Sequence, residues 1–260
     1  MIDIGANLTN KAFKEDLPGV IDRARQTGLT HIIVTGTTVA ESRLALELCS
    51  TFPDLLYCTA GVHPHDAKDV AADWIEALEN LHRDKHVKAI GETGLDFNRN
   101  YSSPDIQLEI FHAQLSLACK LEKPVFVHDR DSAGETLRIL KSYSQQLNGV
   151  VIHCFTGTKN ELTNYLKAGF SIGITGWVCD ERRGKLLQSL IPLIPDTKLM
   201  LETDAPWLIP RNLTTKPVIK NRCEPIHLTT IIEKVAQLRN QSIEEVRELT
   251  IRNARKFFSI

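Results

Sequence analysis

The sequence predicts an α/β chain folded as a (β/α)8 barrel, and three observations predict it. Short apolar runs rich in Val and Ile alternate with longer segments of helical spacing to the end of the chain. Eight such runs can be picked out. Dividing 260 residues among them leaves about 32 residues per unit, in keeping with the roughly 250 residues typical of that barrel. A doubly wound open sheet would carry a glycine-rich phosphate loop after its first strand, and DIGANLTN is not one.

Taken in order, the expected strands are Ile2 to Gly5, His31 to Gly36, Leu56 to His63, Val87 to Glu92, Val125 to His128, Val150 to His153, Phe170 to Ile174 and Leu199 to Asp204. Helical spacing covers Glu41 to Ser50, Trp74 to His82, Asp105 to Leu121, Ser132 to Gln146, Lys159 to Lys167 and Glu181 to Leu190. Two further helices, His227 to Arg239 and Ser242 to Phe258, close the chain. The long stretch Ile209 to Glu224 reads as a loop, with Pro210, Pro217 and Pro225 at or near its ends. No linker interrupts the order, so residues 1–260 are expected to form one barrel domain.

Composition narrows the function classes. Lys+Arg number 31 against 32 Asp+Glu, and 42% of residues are hydrophobic. That balance excludes a disordered tail, a coiled coil and a collagen-like repeat. A formal charge of -1 gives no whole-molecule attraction to nucleic acid or to an acidic membrane, so any such attraction must come from local clusters of basic side chains. The N-terminus lacks a basic region followed by an apolar core, and no segment approaches the ~18 apolar residues of a membrane span. A cytoplasmic protein without a membrane partner is expected, and no heptad points to an obligate protein partner. Cys49, Cys58, Cys119, Cys154, Cys179 and Cys223 are scattered without a CxxC pair, which fits reduced packing thiols.

Chemistry is written where strands should stop. In such a barrel the active site is built at the carboxyl ends of the strands. VKAIGE ends in Glu92, PVFVH in His128, GVVIH in His153 and LMLETD in Asp204. Two imidazoles and two carboxylates converging there make a first shell for a divalent cation with positions left open. The bland reading of any one of them is a buried polar group paired with a neighbour. The segment AGVHPH adds two more imidazoles. His63 is read as binding substrate phosphate or a second cation; His65, kept near the rim by the proline, is a substrate-binding candidate or is simply exposed or caps the next helix with Asp66.

The motifs GVHPH, IGETGLDF, PVFVHDRD, VIHCFTG, GITGW and LETDAPWL occur in this order across nearly the whole chain. In that combination the sequence resembles the TatD family of metal-dependent deoxyribonucleases, which is similar in fold to amidohydrolase-type barrels. The resemblance implies metal ligation by Glu92, His128 and His153, with Asp204 as a further ligand or as the base that orients attacking water. It also implies exonucleolytic attack from a 3′ end, preferably on single-stranded DNA, with RNA as a further substrate and a role in DNA repair. Many family members open with a strand carrying two metal-binding histidines, whereas Gly5 and Asn7 stand at those positions here. Gly5 has no side chain to ligate with and Asn7 is a weak oxygen ligand, so the pattern does not call for a second tightly held metal and leaves one ion or two open. Mg²⁺ is the expected ion, with Mn²⁺ or Zn²⁺ able to replace it in vitro.

A metal is what slow phosphodiester hydrolysis needs, because it acidifies water and neutralises charge developing on phosphoryl oxygens. In the expected mechanism Glu92, His128 and His153 hold the ion and Asp204 accepts the proton of the nucleophilic water. Glu202, of the same strand parity as Asp204, either supports the ligands or pairs with a lysine. For the substrate, RNLTTKPVIKNR carries Arg211, Lys216, Lys220 and Arg222 without an acidic residue. Arg99, Arg130, Arg182 and Arg183 follow other strands. Such cations bind a polyanionic backbone, or are simply solvated. Among Phe97, Tyr101, Phe155, Trp177 and Trp207, only Trp177 and Trp207 are kept as base-stacking candidates; the rest read as packing. Two other classes compete: a small-molecule amidohydrolase using the same metal, which would not need the basic loop, and a non-catalytic scaffold with a vestigial site.

Overall fold

A computed structural model describes all residues, Met1–Ile260, and gives one eight-stranded parallel sheet whose strands follow chain order. The strands are β1 (Ile2–Ala6), β2 (His31–Val34), β3 (Leu56–Ala60), β4 (Val87–Asp96), β5 (Val125–Arg130), β6 (Val150–Ile152), β7 (Ser171–Ile174) and β8 (Leu199–Leu201). Closure comes from the chain beyond β8. Ala205 bridges Ala6 in parallel, the Asn7 N–H donates to the Ala205 carbonyl at 2.7 Å, and the Asp204 N–H donates to that of Gly5 at 2.9 Å. The result is the expected (β/α)8 barrel.

The helices are α1 (Leu17–Gln26), α2 (Val39–Thr51), α3 (Trp74–Leu81), α4 (Pro104–Leu121), α5 (Glu135–Tyr143), α6 (Lys159–Lys167), α7 (Lys185–Leu190), α8 (Leu228–Arg239) and α9 (Ile243–Phe258). Every helix read from spacing is present. The helix missed by the sequence reading is α1, whose Pro18-Gly19 looks like a turn. Pro18 in fact sits in its first turn, where no N–H is needed, and Val20, Ile21 and Ala24 bury its inner face. All six cysteines are free thiols, four of them buried.

Two compact units divide the chain. One comprises Met1–Val34, Cys154–Leu162 and Ser171–Ile260, and carries β1, β2, β7 and β8. The other comprises Thr35–His153 and Thr163–Phe170, and carries β3 to β6.

In the first unit the fully buried Asp3 ties β1 to the end of β8. It accepts the Thr203 N–H at 2.9 Å, the Thr203 hydroxyl at 2.5 Å and the Gly5 N–H at 3.2 Å. These bonds give Asp3 a structural role. Burial pushes its carboxyl up to about 7 against the downward pull of these hydrogen bonds. A carboxyl raised above its unfolded value stabilises the fold most when protonated, and that contribution is lost as pH rises through the folded value. Thermal unfolding of the parent protein and Asp3→Asn is therefore expected to diverge as pH rises from about 3 to 8, through the unfolded and then the folded value. The balance should move toward the variant by up to about 4 kcal/mol. A pH-independent difference would mean that Asp3 titrates in the folded protein as it does in the unfolded chain.

The same unit corrects one expectation. Arg222 is 5% exposed, so it does not face a substrate. Its guanidinium donates to Asp16 Oδ1 and Oδ2 and to Glu224 Oε1, each at 2.7 Å, and packs 5.0 Å from the Phe13 ring centroid. The surrounding segment has no carboxylate of its own, which is why the sequence read as a free basic patch; the partners come from residues 16 and 224. Removing one member of a buried ion pair strands the other. Arg222→Ala is expected to lower stability by about 3 kcal/mol in denaturant titration. The salt dependence of substrate binding should not change.

Candidate metal centre

The second unit builds its centre on an irregular strand. Between Ile90 and Thr93 the β4 chain takes three steps while β5 takes two, from Val125 to Val127, so β4 carries one extra residue around Gly91 and Glu92. Such a bulge re-aims the side chains that follow it. It needs glycine: a methyl group on Gly91 would sit 2.4 Å from the Phe126 carbonyl oxygen and one on Gly94, just beyond the bulge, 1.9 Å from that of His128, and the two hold φ of +144° and +136°. Beyond the bulge β4 runs four residues further than the sequence suggested and ends at Asp96. Likewise β5 passes His128 and ends at Arg130, whereas β6 stops just short of His153.

Glu92, His128 and His153 come together as expected, and His63 joins them. Oε1 of Glu92, a buried carboxylate, lies 2.7 Å from His153 Nε2, 3.1 Å from His128 Nδ1 and 3.3 Å from His63 Nε2. One ligand atom each from His63, Glu92 and His128 can be chosen so that all fall within 4.8 Å of one another. Burial alone would raise the Glu92 carboxyl, but the electrostatic pull of the facing His153 and His63 rings and the hydrogen bonds of His128 and His153 outweigh it and hold Glu92 well below the usual carboxylate range. Burial lowers His63 to about 4, which keeps it neutral near pH 7. In His128 the downward pull of burial is overcome by hydrogen bonds to Asp96 and Glu92, so its imidazolium is favoured. An anionic oxygen facing three imidazole nitrogens in a buried pocket fits a divalent cation.

A second carboxylate, Asp96, escaped the sequence reading. It is 3% exposed, with Oδ2 2.6 Å from His65 Nε2 and 3.5 Å from His128 Nε2. Its Oδ1 accepts the Asn98 and Arg99 N–H groups at 3.0 and 2.8 Å. The available signal was strand parity, since residues 92, 94 and 96 alternate onto one face of a strand that continues through IGETGLDF. Two buried glutamines on α4, two helical turns apart, pin the strand ends. Gln107 bonds both the N–H and the carbonyl of Asp96, and Gln114 does the same to Val62, next to His63. His65 lies at the rim with its ring 4.7 Å edge-on from that of Tyr101, and its side chain bonds Asp96 rather than the alternative partner Asp66. Arg130, half-buried, has a side chain engaged by no carboxylate and by no hydrogen bond.

The remaining candidates belong to the first unit. Asp204, with left-handed backbone at φ +53°, has Oδ1 bonded by the Asn7 amide at 3.1 Å. Asn7 is thus a donor to an acid, a use that its place at a family ligand position did not reveal. Glu202 is buried and accepts the Cys154 N–H at 2.6 Å. Trp207 is 50% exposed, while Trp177 is half-buried under the Arg183 guanidinium at 4.6 Å. Arg211 is largely exposed, 4.0 Å from Asp180, whose carboxylate also binds Arg183.

A (β/α)8 barrel with a carboxylate and three imidazole nitrogens gathered at the ends of its strands defines a hydrolase of the metal-centre barrel class. The profile described as TatD related DNase matches residues 2–259, so the chain belongs to that family, whose members are metal-dependent nucleases. It is 48% identical over 260 residues, the full length of both chains, to the 3′-5′ ssDNA/RNA exonuclease TatD of Edwardsiella piscicida. To the protein of the same description from Erwinia tasmaniensis it is 46% identical, again over both full lengths. Among solved structures, a TatD family hydrolase from Entamoeba histolytica superposes with a TM-score of 0.92 at 27% identity, covering 99% of this chain and 97% of the other. No helix is long and apolar enough to cross a membrane.

Proposed function

We infer that the protein removes nucleotides from the 3′ end of single-stranded DNA, and of RNA, in a reaction that needs a divalent cation. The observation that carries this reading is the convergence of three imidazole nitrogens within 3.3 Å of Glu92 Oε1, in a chain so similar over its whole length to relatives described as exonucleases of that kind. Glu92, His128 and His153 hold the cation, which when bound acidifies water and offsets charge developing on phosphoryl oxygens. Asp204 accepts the proton of the attacking water. Imidazole and carboxylate donors accept Mn²⁺ and Zn²⁺ as well as Mg²⁺; we assign Mg²⁺ as the working ion on availability rather than affinity.

Arg130, His65 and Arg211 meet the sugar–phosphate backbone, and Trp207 and Trp177 offer rings for stacking of unpaired bases. Of these, Arg130 has the clearest claim, because no carboxylate neutralises it.

The test uses a single-stranded oligonucleotide labelled at its 5′ end, incubated with Mg²⁺, Mn²⁺ or Zn²⁺ and with or without chelator. A ladder receding from the 3′ end, abolished by chelator and stopped by a 3′ phosphorothioate, is expected. Absence of cleavage with every ion, or cleavage indifferent to chelator, would overturn the reading. Arg130→Ala should raise KM several-fold and reduce the slope of log affinity against log salt by about one contact's worth.

A further inference from the structure

A hydrogen bond at His63 and a carboxylate contact at His128 distinguish the two ring nitrogens of each, and so divide the roles of these two imidazoles. His63 caps the short helical turn that follows it, its Nδ1 accepting the His65 backbone N–H at 3.1 Å. A neutral imidazole has one N–H and one lone pair. With the lone pair of Nδ1 occupied, the proton sits on Nε2, the atom that points at Glu92 Oε1. To ligate a cation through Nε2, the ring would have to move that proton to Nδ1 and abandon the His65 N–H. The Pro64 ring between the two histidines and the Gln114 clamp on Val62 hold the segment where this bond forms.

His128 is arranged the opposite way. Its Nε2 faces Asp96 Oδ2 at 3.5 Å, and its Nδ1 faces Glu92 at 3.1 Å. Asp96 is itself held in place, because Oδ1 takes two backbone N–H groups and Gln107 bonds its backbone on both sides. With Asp96 facing Nε2, Nε2 is the nitrogen that keeps its proton when Nδ1 gives up its own, which would leave the Nδ1 lone pair for a cation beside Glu92. A carboxylate behind a metal-binding imidazole orients the ring and raises its basicity.

We propose that His63 is a hydrogen-bond donor to a phosphoryl oxygen of the substrate rather than a metal ligand, and that Asp96 is the positioning residue that directs His128 Nδ1 to the metal. This rests on the reading of the centre as a metal-dependent phosphodiesterase, but its main readout needs no substrate. Calorimetric titration with Mn²⁺ is expected to give His63→Ala an affinity within about threefold of the parent protein. Asp96→Asn should lose 10- to 100-fold, the range found for such supporting partners, and His128→Ala at least as much. On an oligonucleotide, His63→Ala should lower kcat with the metal site saturated. His63→Gln, whose amide can present an N–H near the position of Nε2, should recover part of the loss. Long-range ¹⁵N–¹H spectra should show His63 protonated at Nε2, which also serves if a variant fails to fold.

A loss of Mn²⁺ affinity in His63→Ala as large as that in His128→Ala, or a proton on His63 Nδ1, would overturn the donor role. Parent-like affinity in Asp96→Asn would overturn the positioning role. If the parent protein cleaves no oligonucleotide, the proposed function fails, while the titrations and spectra still judge the division of roles.

Discussion

Glu92→Gln is expected to reduce metal-dependent hydrolysis on the order of 10³-fold with no change in far-ultraviolet circular dichroism. The reason is local charge. Glu92 Oε1 is the one atom faced by His63, His128 and His153 together, and its neighbours keep it ionised against the cost of burial. Glutamine preserves the shape but removes the negative charge that a cation would balance, and its NH2 group cannot accept from an imidazole. Initial rates measured across a Mn²⁺ series separate the causes. Lost affinity shifts the midpoint, whereas lost chemistry lowers the plateau, and both shifts are expected. Retention of parent rates at parent metal concentrations would remove Glu92 from the centre.

Gly94→Ala, which alters no ligand, is expected to be nearly as damaging. Its methyl group would meet the His128 carbonyl oxygen at 1.9 Å, on a residue whose φ of +136° disfavours any side chain. Neither strand can relax freely, because Gly94 pairs with His128 in the ladder and Asp96 with Arg130 just beyond. Strain of this kind falls in the rare class of substitutions that cost about 4 kcal/mol or more. Equilibrium unfolding in urea should show the loss, and metal titration of the surviving folded protein should show weakened binding. A parent-like midpoint in urea would mean that β4 and β5 can separate at this point without cost.

The fold was legible because a barrel repeats one pattern eight times, and apolar runs of strand length survive errors at their ends. The ends themselves were less legible. Strand β4 continues through Thr93, Gly94 and Leu95, and Gly94 there reads as a stop when it is a close-approach position. In the site, Glu92, His128, His153 and His63 could be named from the residues that close apolar runs. Asp96 could not, because its importance depends on the bulge that sets the face of the strand, and on His65 reaching it from another loop. Arg222 failed for a related reason. A basic residue in a run without acids looks free until carboxylates outside that run are placed against it, as Asp16 from far along the chain and Glu224 from just past the run are. Periodicity carries information along the chain; ion pairing is decided across it.

The bulge in β4 also limits how this centre could be transplanted. Copying Glu92, His63, His128 and His153 onto an unbroken strand of another barrel would leave the acid on the wrong step of the pleat. A successful graft would have to carry the inserted residue and the two glycines that let neighbouring backbones touch, together with the glutamines that brace them. Those residues contribute no chemistry, yet they are the part of the design that substitution of ligands alone would omit.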